Sequence, residues 1–115
     1  MNNVMISIVG IVGSPLCVEA EDGQRVYELI KKAISEKKKI TVSFLNVKMM
    51  TSAFLNTAIG QLYRDSSEDD IKTFLSVDDI SDNDLVLLKR VVDTAKLFYS
   101  KGDEIGQSIN DILGE

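Results

Sequence analysis

Residues 40–63 read ITVSFLNVKMMTSAFLNTAIGQLY, and the hydrophobic period of this stretch changes partway along it. From Ile40 to Val47 apolar and polar residues alternate, and the β-branched content favours a half-buried strand. After Thr51 and Ser52, either of which can cap a helix, the apolar residues recur at helical spacing. The stretch therefore predicts a strand, a short loop and a helix.

The segments upstream of this unit continue the alternation. Val4 to Val12 predicts a buried strand, or two short ones, stopped by residues 13–15 (GSP), and a brief extended piece is expected over residues 16–19. Asp22-Gly23 is expected to open a helix. An apolar stripe at helical spacing supports this helix and consists of Val26, Leu29, Ile30, Ala33 and Ile34.

The segments downstream of the unit predict one more strand and one long helix. Residues 64–70 form an acidic linker, and Ile71 to Val77 favours a third strand. Residues 81–84 (SDND) resemble a capping box, which opens a helix expected to stop at Lys101-Gly102. A final amphipathic segment predicts a short helix that packs on the domain or on a partner, through Ile105, Ile109, Ile112 and Leu113.

The order of these elements decides the fold class. Strands that alternate with helices imply right-handed crossovers and a small, mainly parallel sheet covered by helices, and an N-terminal hairpin would make the sheet mixed. At 115 residues the chain suits one hydrophobic core but not two. We expect a single α/β domain over residues 1–115, with its core in 1–101 and an extra C-terminal helix within 102–115.

The composition narrows the partners and the compartment. The net charge of -5 disfavours nucleic acid and anionic membrane surfaces, because both are bound by clustered Lys and Arg. Cys17 is the one cysteine, so no internal disulfide forms, and we interpret it as a buried structural thiol. The N-terminus lacks the basic region of a secretory signal, and no apolar stretch could cross a bilayer. We expect a cytoplasmic protein.

The chemistry of the side chains favours a role without catalysis. The chain has no histidine, which removes the commonest general base and metal ligand. Neither a P-loop nor a dinucleotide fingerprint occurs, so no cofactor is indicated. The acidic stretch 78–84 is the candidate for a metal-dependent enzyme, but it lacks the glycine and distal glutamate of an EF-hand, and helix capping accounts for two of its residues. We therefore expect neither catalytic residues nor a bound metal.

Residues 40–63 resemble the STAS-like domains, a family largely of unknown function whose relatives include the anti-sigma factor antagonists. Phosphorylated antagonists carry Asp-Ser-Ser-Gly at the start of this helix, and without gaps that motif falls on residues 51–54 (TSAF). Ser52 matches, whereas Ala53 stands where the family's phosphoserine would be and Thr51 replaces the acidic residue. The alternatives are therefore a switch at Thr51 or Ser52 and helix capping alone.

The resemblance implies a regulatory protein-binding module. It would dock a histidine-kinase-like ATPase or an anti-sigma-type partner through the 48–54 loop and the helix that follows. The residues expected to contact the partner are Lys48, Met49, Met50, Thr51, Ser52 and Phe54. The alternative is a scaffold or assembly subunit that uses the C-terminal apolar segment, and a homodimer is compatible with either role.

Overall fold

A computed structural model describes the backbone of residues 3–112 and the side chains of residues 3–100. The elements in chain order are β1 Asn3–Ser7, α1 Ile8–Val12, β2 Leu16–Cys17, α2 Ala20–Ser35, β3 Lys39–Ser43, β4 Met49–Met50, α3 Ser52–Leu55, a π-helix Asn56–Gly60, α4 Leu62–Asp65, α5 Glu68–Phe74, β5 Leu75–Asp78 and α6 Asp82–Ile112. Strands and helices are interspersed as the sequence predicts, but β4 follows β3 directly, and α3, the π-helix, α4 and α5 are consecutive.

The main sheet has three parallel strands in the order β1, β3, β5. Ile40 and Val42 of the central strand are buried, as their alternation predicts, while Thr41 between them is only half-buried. The parallel pairing confirms the predicted α/β class. The alternative of an N-terminal hairpin does not occur in the described residues, because β1 pairs with β3 alone and in parallel.

The predicted strand over 4–12 is only half right, since β1 ends at Ser7 and the short helix α1 follows. The Ser7 hydroxyl accepts a hydrogen bond from the Gly10 N–H at 3.0 Å, which caps α1. Gly13 then ends α1 in the left-handed region, at φ 80°, where glycine is unstrained. Local capping at both ends therefore overrides the β-propensity of the Val and Ile residues between them.

Three predicted boundaries also differ from the structure. Helix α2 begins at Ala20, so Asp22 and Gly23 lie in its first turns rather than before it. The stretch 71–77 is divided, because Ser67 caps α5 by accepting from the Asp70 N–H at 3.1 Å, and the strand starts only at Leu75. Helix α6 runs through Gly102 to Ile112, since a glycine in a helix costs only about 1 kcal/mol and does not end it.

Within the core, α2 crosses α3 and the π-helix at very short range. A Cβ added to Gly23 would lie 2.6 Å from the Phe54 carbonyl oxygen, so only glycine allows this approach. The Gln61 amide donates to the Thr57 carbonyl at 2.8 Å and to the Gln24 side chain at 2.9 Å. These bonds satisfy a carbonyl inside the π-helix and tie it to α2.

At Gly60 an added Cβ would lie 3.7 Å from the nearest atoms of α6, so a methyl group would fit there. Within the described ranges, every helix is too short or too polar to cross a membrane.

Candidate functional site

The predicted docking loop is held as a strand for part of its length. In the two-stranded sheet, β4 pairs in parallel with β2, and Met49 is the register partner of Leu16. The N–H groups of Lys48 and Met49 both donate to the Pro15 carbonyl, at 2.9 and 3.2 Å. The backbone before the helix is therefore fixed by hydrogen bonds rather than free to rearrange.

Thr51 ends this ladder and begins the helix. Its N–H donates to the Cys17 carbonyl at 3.2 Å, and its hydroxyl donates to the Val18 carbonyl at 3.0 Å. The same hydroxyl accepts from the Phe54 N–H at 3.2 Å, which confirms Thr51 as the helix cap. Because these bonds engage the hydroxyl as donor and as acceptor, a group attached to Thr51 would break the cap.

The side chains predicted to contact a partner fall into two groups. Lys48, Met49 and Ser52 are exposed, with Met49 at 54% of its full area, while Met50 is half-buried. Phe54 is 0% exposed and belongs to the core. Its inclusion among the contact residues was therefore wrong, because α3 packs with Phe54 turned into the core.

Leu16 is a surface residue that the sequence reasoning missed. It is 51% exposed, and as the register partner of Met49 it shares a face of the ladder with that residue. Their neighbours Cys17 and Met50 point to the other side, where Cys17 is buried and Met50 half-buried. We call the exposed set Leu16, Lys48, Met49 and Ser52 the ladder surface. The pairing could not be predicted, because two-residue strands carry no readable period.

The acidic stretch 78–84 begins at the last residue of β5. Asp79 adopts a left-handed backbone, at φ 57°, and its carboxylate accepts from the Ser43 hydroxyl at 2.8 Å. The Asp78 carboxylate accepts from the Asp79 N–H at 3.1 Å, and the Ser81 hydroxyl accepts from the Asp84 N–H at 3.2 Å. The predicted cap at Ser81 is thus confirmed. Across the described residues, no three Cys, Asp or Glu side chains come close enough together to hold a metal ion.

A polar cluster fixes α4 against α2 and was also missed. The buried Tyr27 hydroxyl donates to the Asp65 carboxylate, which also accepts from Arg64 Nε at 3.1 Å. Hydrogen bonding to Arg64 holds the pKa of Asp65 below its usual range, and Tyr27 and the cation of Lys31 act in the same direction. Residues 38 positions apart in sequence meet here, which a local pattern cannot indicate.

Cys17 lies directly beneath the ladder surface. Burial raises the pKa of its thiol, and the carboxylates of Asp22 and Asp84 add to the shift. A thiol in this environment stays protonated at neutral pH and is a poor nucleophile. This arrangement agrees with a structural role for Cys17.

The fold and this surface define a small α/β domain of parallel strands, with a rigid strand-to-helix corner that exposes apolar side chains. The family described as "STAS-like domain of unknown function (DUF4325)" matches residues 22–85, more than half of the chain. The chain belongs to this family, which confirms the resemblance found in residues 40–63. No curated protein and no solved structure matches the chain.

Proposed function

We propose that this domain is a non-catalytic regulatory module that binds a protein through the ladder surface. The partner class we propose is a histidine-kinase-like ATPase or an anti-sigma-type regulator, which is what the likeness of STAS-like domains to anti-sigma factor antagonists suggests. The complete absence of histidine from the sequence supports a role in binding rather than catalysis.

One observation carries the proposal: Leu16 and Met49 expose large apolar side chains side by side on a hydrogen-bonded ladder. Adjacent exposed apolar side chains on a backbone that is already ordered require little further backbone ordering on binding, so they suit a protein interface. Methionine adds a flexible, polarisable contact that adapts to a partner surface. Lys48, next to Met49 in sequence, is an exposed cation in a chain whose net charge is -5.

Ser52 is the residue in this surface that best suits a switch. Its side chain is exposed, whereas the Thr51 hydroxyl is committed to the cap. A phosphate on Ser52 would add about two negative charges three residues from Met49 and beside the start of α3. Of the two predicted positions, the geometry therefore favours Ser52.

Affinity capture from the source lysate tests the proposal, with mass spectrometry to identify the bound proteins. Wild-type protein should retain an ATPase or anti-sigma-type protein. Met49→Asp and Ser52→Asp should each weaken binding about tenfold, because burying the new charge in the interface costs about 1.4 kcal/mol, and the recovered amount should fall accordingly. Leu97→Asp is the matched control, because Leu97 is equally exposed but lies on α6. If neither Met49→Asp nor Ser52→Asp lowered the recovery of the partner, the proposal would be contradicted.

The second candidate, a scaffold or assembly subunit, is favoured by a different observation. Leu97 and Phe98 are exposed on α6 and precede, with residues 99–101 in between, the segment 102–115 that is predicted to supply the contact. The side chains of that segment lie outside the described residues. The same capture experiment separates the two functions, because the scaffold requires Leu97→Asp, and not Met49→Asp, to abolish association.

A further inference from the structure

We propose that the free edge of β1 pairs with β1 of a second copy of this chain, in antiparallel orientation, to form a continuous six-stranded sheet. The inference concerns a different part of the molecule from the ladder surface and does not depend on the proposed function. It rests on the exposure of β1, on a groove beside it and on the match that the strand makes with itself.

Strand β1 forms one edge of the main sheet. Within the described part of the chain it pairs only with β3, which leaves the backbone groups on its outer side without a strand partner. Four of its five residues are exposed, and Met5 in the middle is exposed at 68% of its full area. An uncharged edge of this kind, without proline or an inward-pointing charge, has none of the features that block pairing with another strand.

A groove of about 210 Å³ lies between this edge and α2. Its apolar lining includes Val4, Ile6 and Leu29, and Leu29 is exposed although the helical stripe predicts it to be buried. An additional strand beside β1 would place its own side chains over this groove. The core is therefore left incomplete at the point where the sheet could be extended.

The sequence of β1 identifies the occupant as a second copy. In antiparallel pairing centred on Met5, each Met5 lies opposite the other, and Val4 lies opposite Ile6 of the second copy, so aliphatic side chains meet on both sides of the axis. Asn3 lies opposite Ser7 of the second copy, so polar residues also meet. A two-fold interface requires this kind of self-complementarity.

The charges near the edge agree with self-association. The chain carries a net charge of -5, so two copies repel one another over most orientations. β1 is uncharged, and the rim of the groove carries both signs, with Glu36 and Lys38 in an ion pair at 3.0 Å and Lys32 nearby. Two copies can therefore approach along β1 without bringing like charges face to face.

The interface should be small, because a pair of five-residue strands buries less than the area of a typical stable complex. We expect a dissociation constant in the micromolar range, on the order of 10–100 μM. Sedimentation velocity of the purified full chain over a concentration series should show a monomer–dimer equilibrium. A monomer at every concentration up to millimolar would overturn the proposal.

A charge exchange at Met5 tests the register itself. Met5→Lys places two cations opposite each other in the dimer and should raise the dissociation constant about tenfold, and Met5→Glu should do the same with two anions. A mixture of the two variants should restore association as a heterodimer. Because Met5 is exposed, both variants should melt within a few degrees of the wild type, which shows that they are folded.

The mixture of Met5→Lys and Met5→Glu shows whether the strands pair in the proposed register. Restored association supports antiparallel pairing centred on Met5, whereas two weakened variants that fail to restore each other would overturn that register. A dimer that is indifferent to the charge at Met5 would place the contact elsewhere and also overturn the proposal. Met49→Asp is the control that must leave the dissociation constant unchanged, so failure here is distinguishable from failure of the ladder surface.

Discussion

The close approach of α2 to the start of the π-helix makes Gly23→Ala a sharp probe of the fold. The added methyl carbon would lie 2.6 Å from the Phe54 carbonyl oxygen, about 1 Å closer than an ordinary contact. It would also lie 3.1 Å from Thr57 Cβ and 3.2 Å from the Ala58 nitrogen. All three neighbours belong to one packed segment, so no single side chain can move aside and the helices must separate.

The expected magnitude is the difference between two terms. Overpacking of this kind costs about 1–3 kcal/mol, and more where backbone must move. The same substitution gains about 1 kcal/mol because alanine is the better helix former. With the overpacking term at or above the top of its range, the free energy of unfolding should fall by about 2 kcal/mol, which lowers Tm by about 8 °C in a chain of this length.

Gly60→Ala is the matched control, since it makes the same chemical change in the neighbouring helical segment. Its Cβ would lie 3.7 Å from both Ala95 Cβ and Val91 Cγ1, at ordinary contact distance. This variant should therefore be as stable as the wild type or more stable by up to about 1 kcal/mol. Urea denaturation followed by circular dichroism gives both values. If Gly23→Ala were as stable as Gly60→Ala, the packing of α2 on α3 described above would be refuted.

The remaining predictions concern the cap, the ion cluster and the thiol. Thr51→Ala should lower the free energy of unfolding by about 1 kcal/mol, whereas Thr51→Ser should restore it, as measured by the urea midpoint. The pKa of Asp65 is lower in the folded protein than in the unfolded chain, so its stabilisation is present above the unfolded pKa and is lost as the pH falls through the folded value. Asp65→Asn should therefore flatten the pH dependence of the urea midpoint below about pH 4. Solvent screening keeps this effect small. Cys17 should react with a thiol reagent at least about tenfold more slowly in native protein than in urea, since it is buried and its pKa is raised; equal rates would contradict that burial.

The sequence predicts the central elements well because their hydrophobic periods are long enough to be read. Val26, Ile30 and Ile34 repeat over the length of α2 and are buried as expected. The alternation of Ile40, Val42 and Phe44 continues one residue beyond strand β3, and all three are buried. These segments also carry the family likeness, so the fold class follows from them.

The incorrect boundaries lie where short-range hydrogen bonds compete with propensity. Ser7 caps a helix inside a stretch whose apolar residues favour a strand, and Ser67 caps one inside the stretch expected to be an acidic linker. These serines are readable helix-start signals, because a serine hydroxyl at an N-cap can accept from the backbone N–H three residues further on. The close packing at Gly23 could not be predicted from the sequence, since it depends on which segment crosses α2.

The candidate site was predicted only in part for the same reason. Lys48, Met49 and Ser52 lie on the surface, but the exposure of Leu16 depends on a two-residue ladder joining segments 33 residues apart in the register Leu16 to Met49. Phe54 was misplaced because a position at a helix start can face either side until the neighbouring helix is known. Tertiary contacts, rather than local pattern, decide these assignments.

The central claim, that the ladder surface binds the partner, is tested most directly by NMR. The protein captured from lysate would be purified and titrated into the isotope-labelled domain while backbone amide shifts are followed. We predict that the largest changes fall on residues 16–17 and 48–52, with Ser52→Asp weakening the titration. Changes confined to α6 or β5, with residues 48–52 unaffected, would contradict the claim.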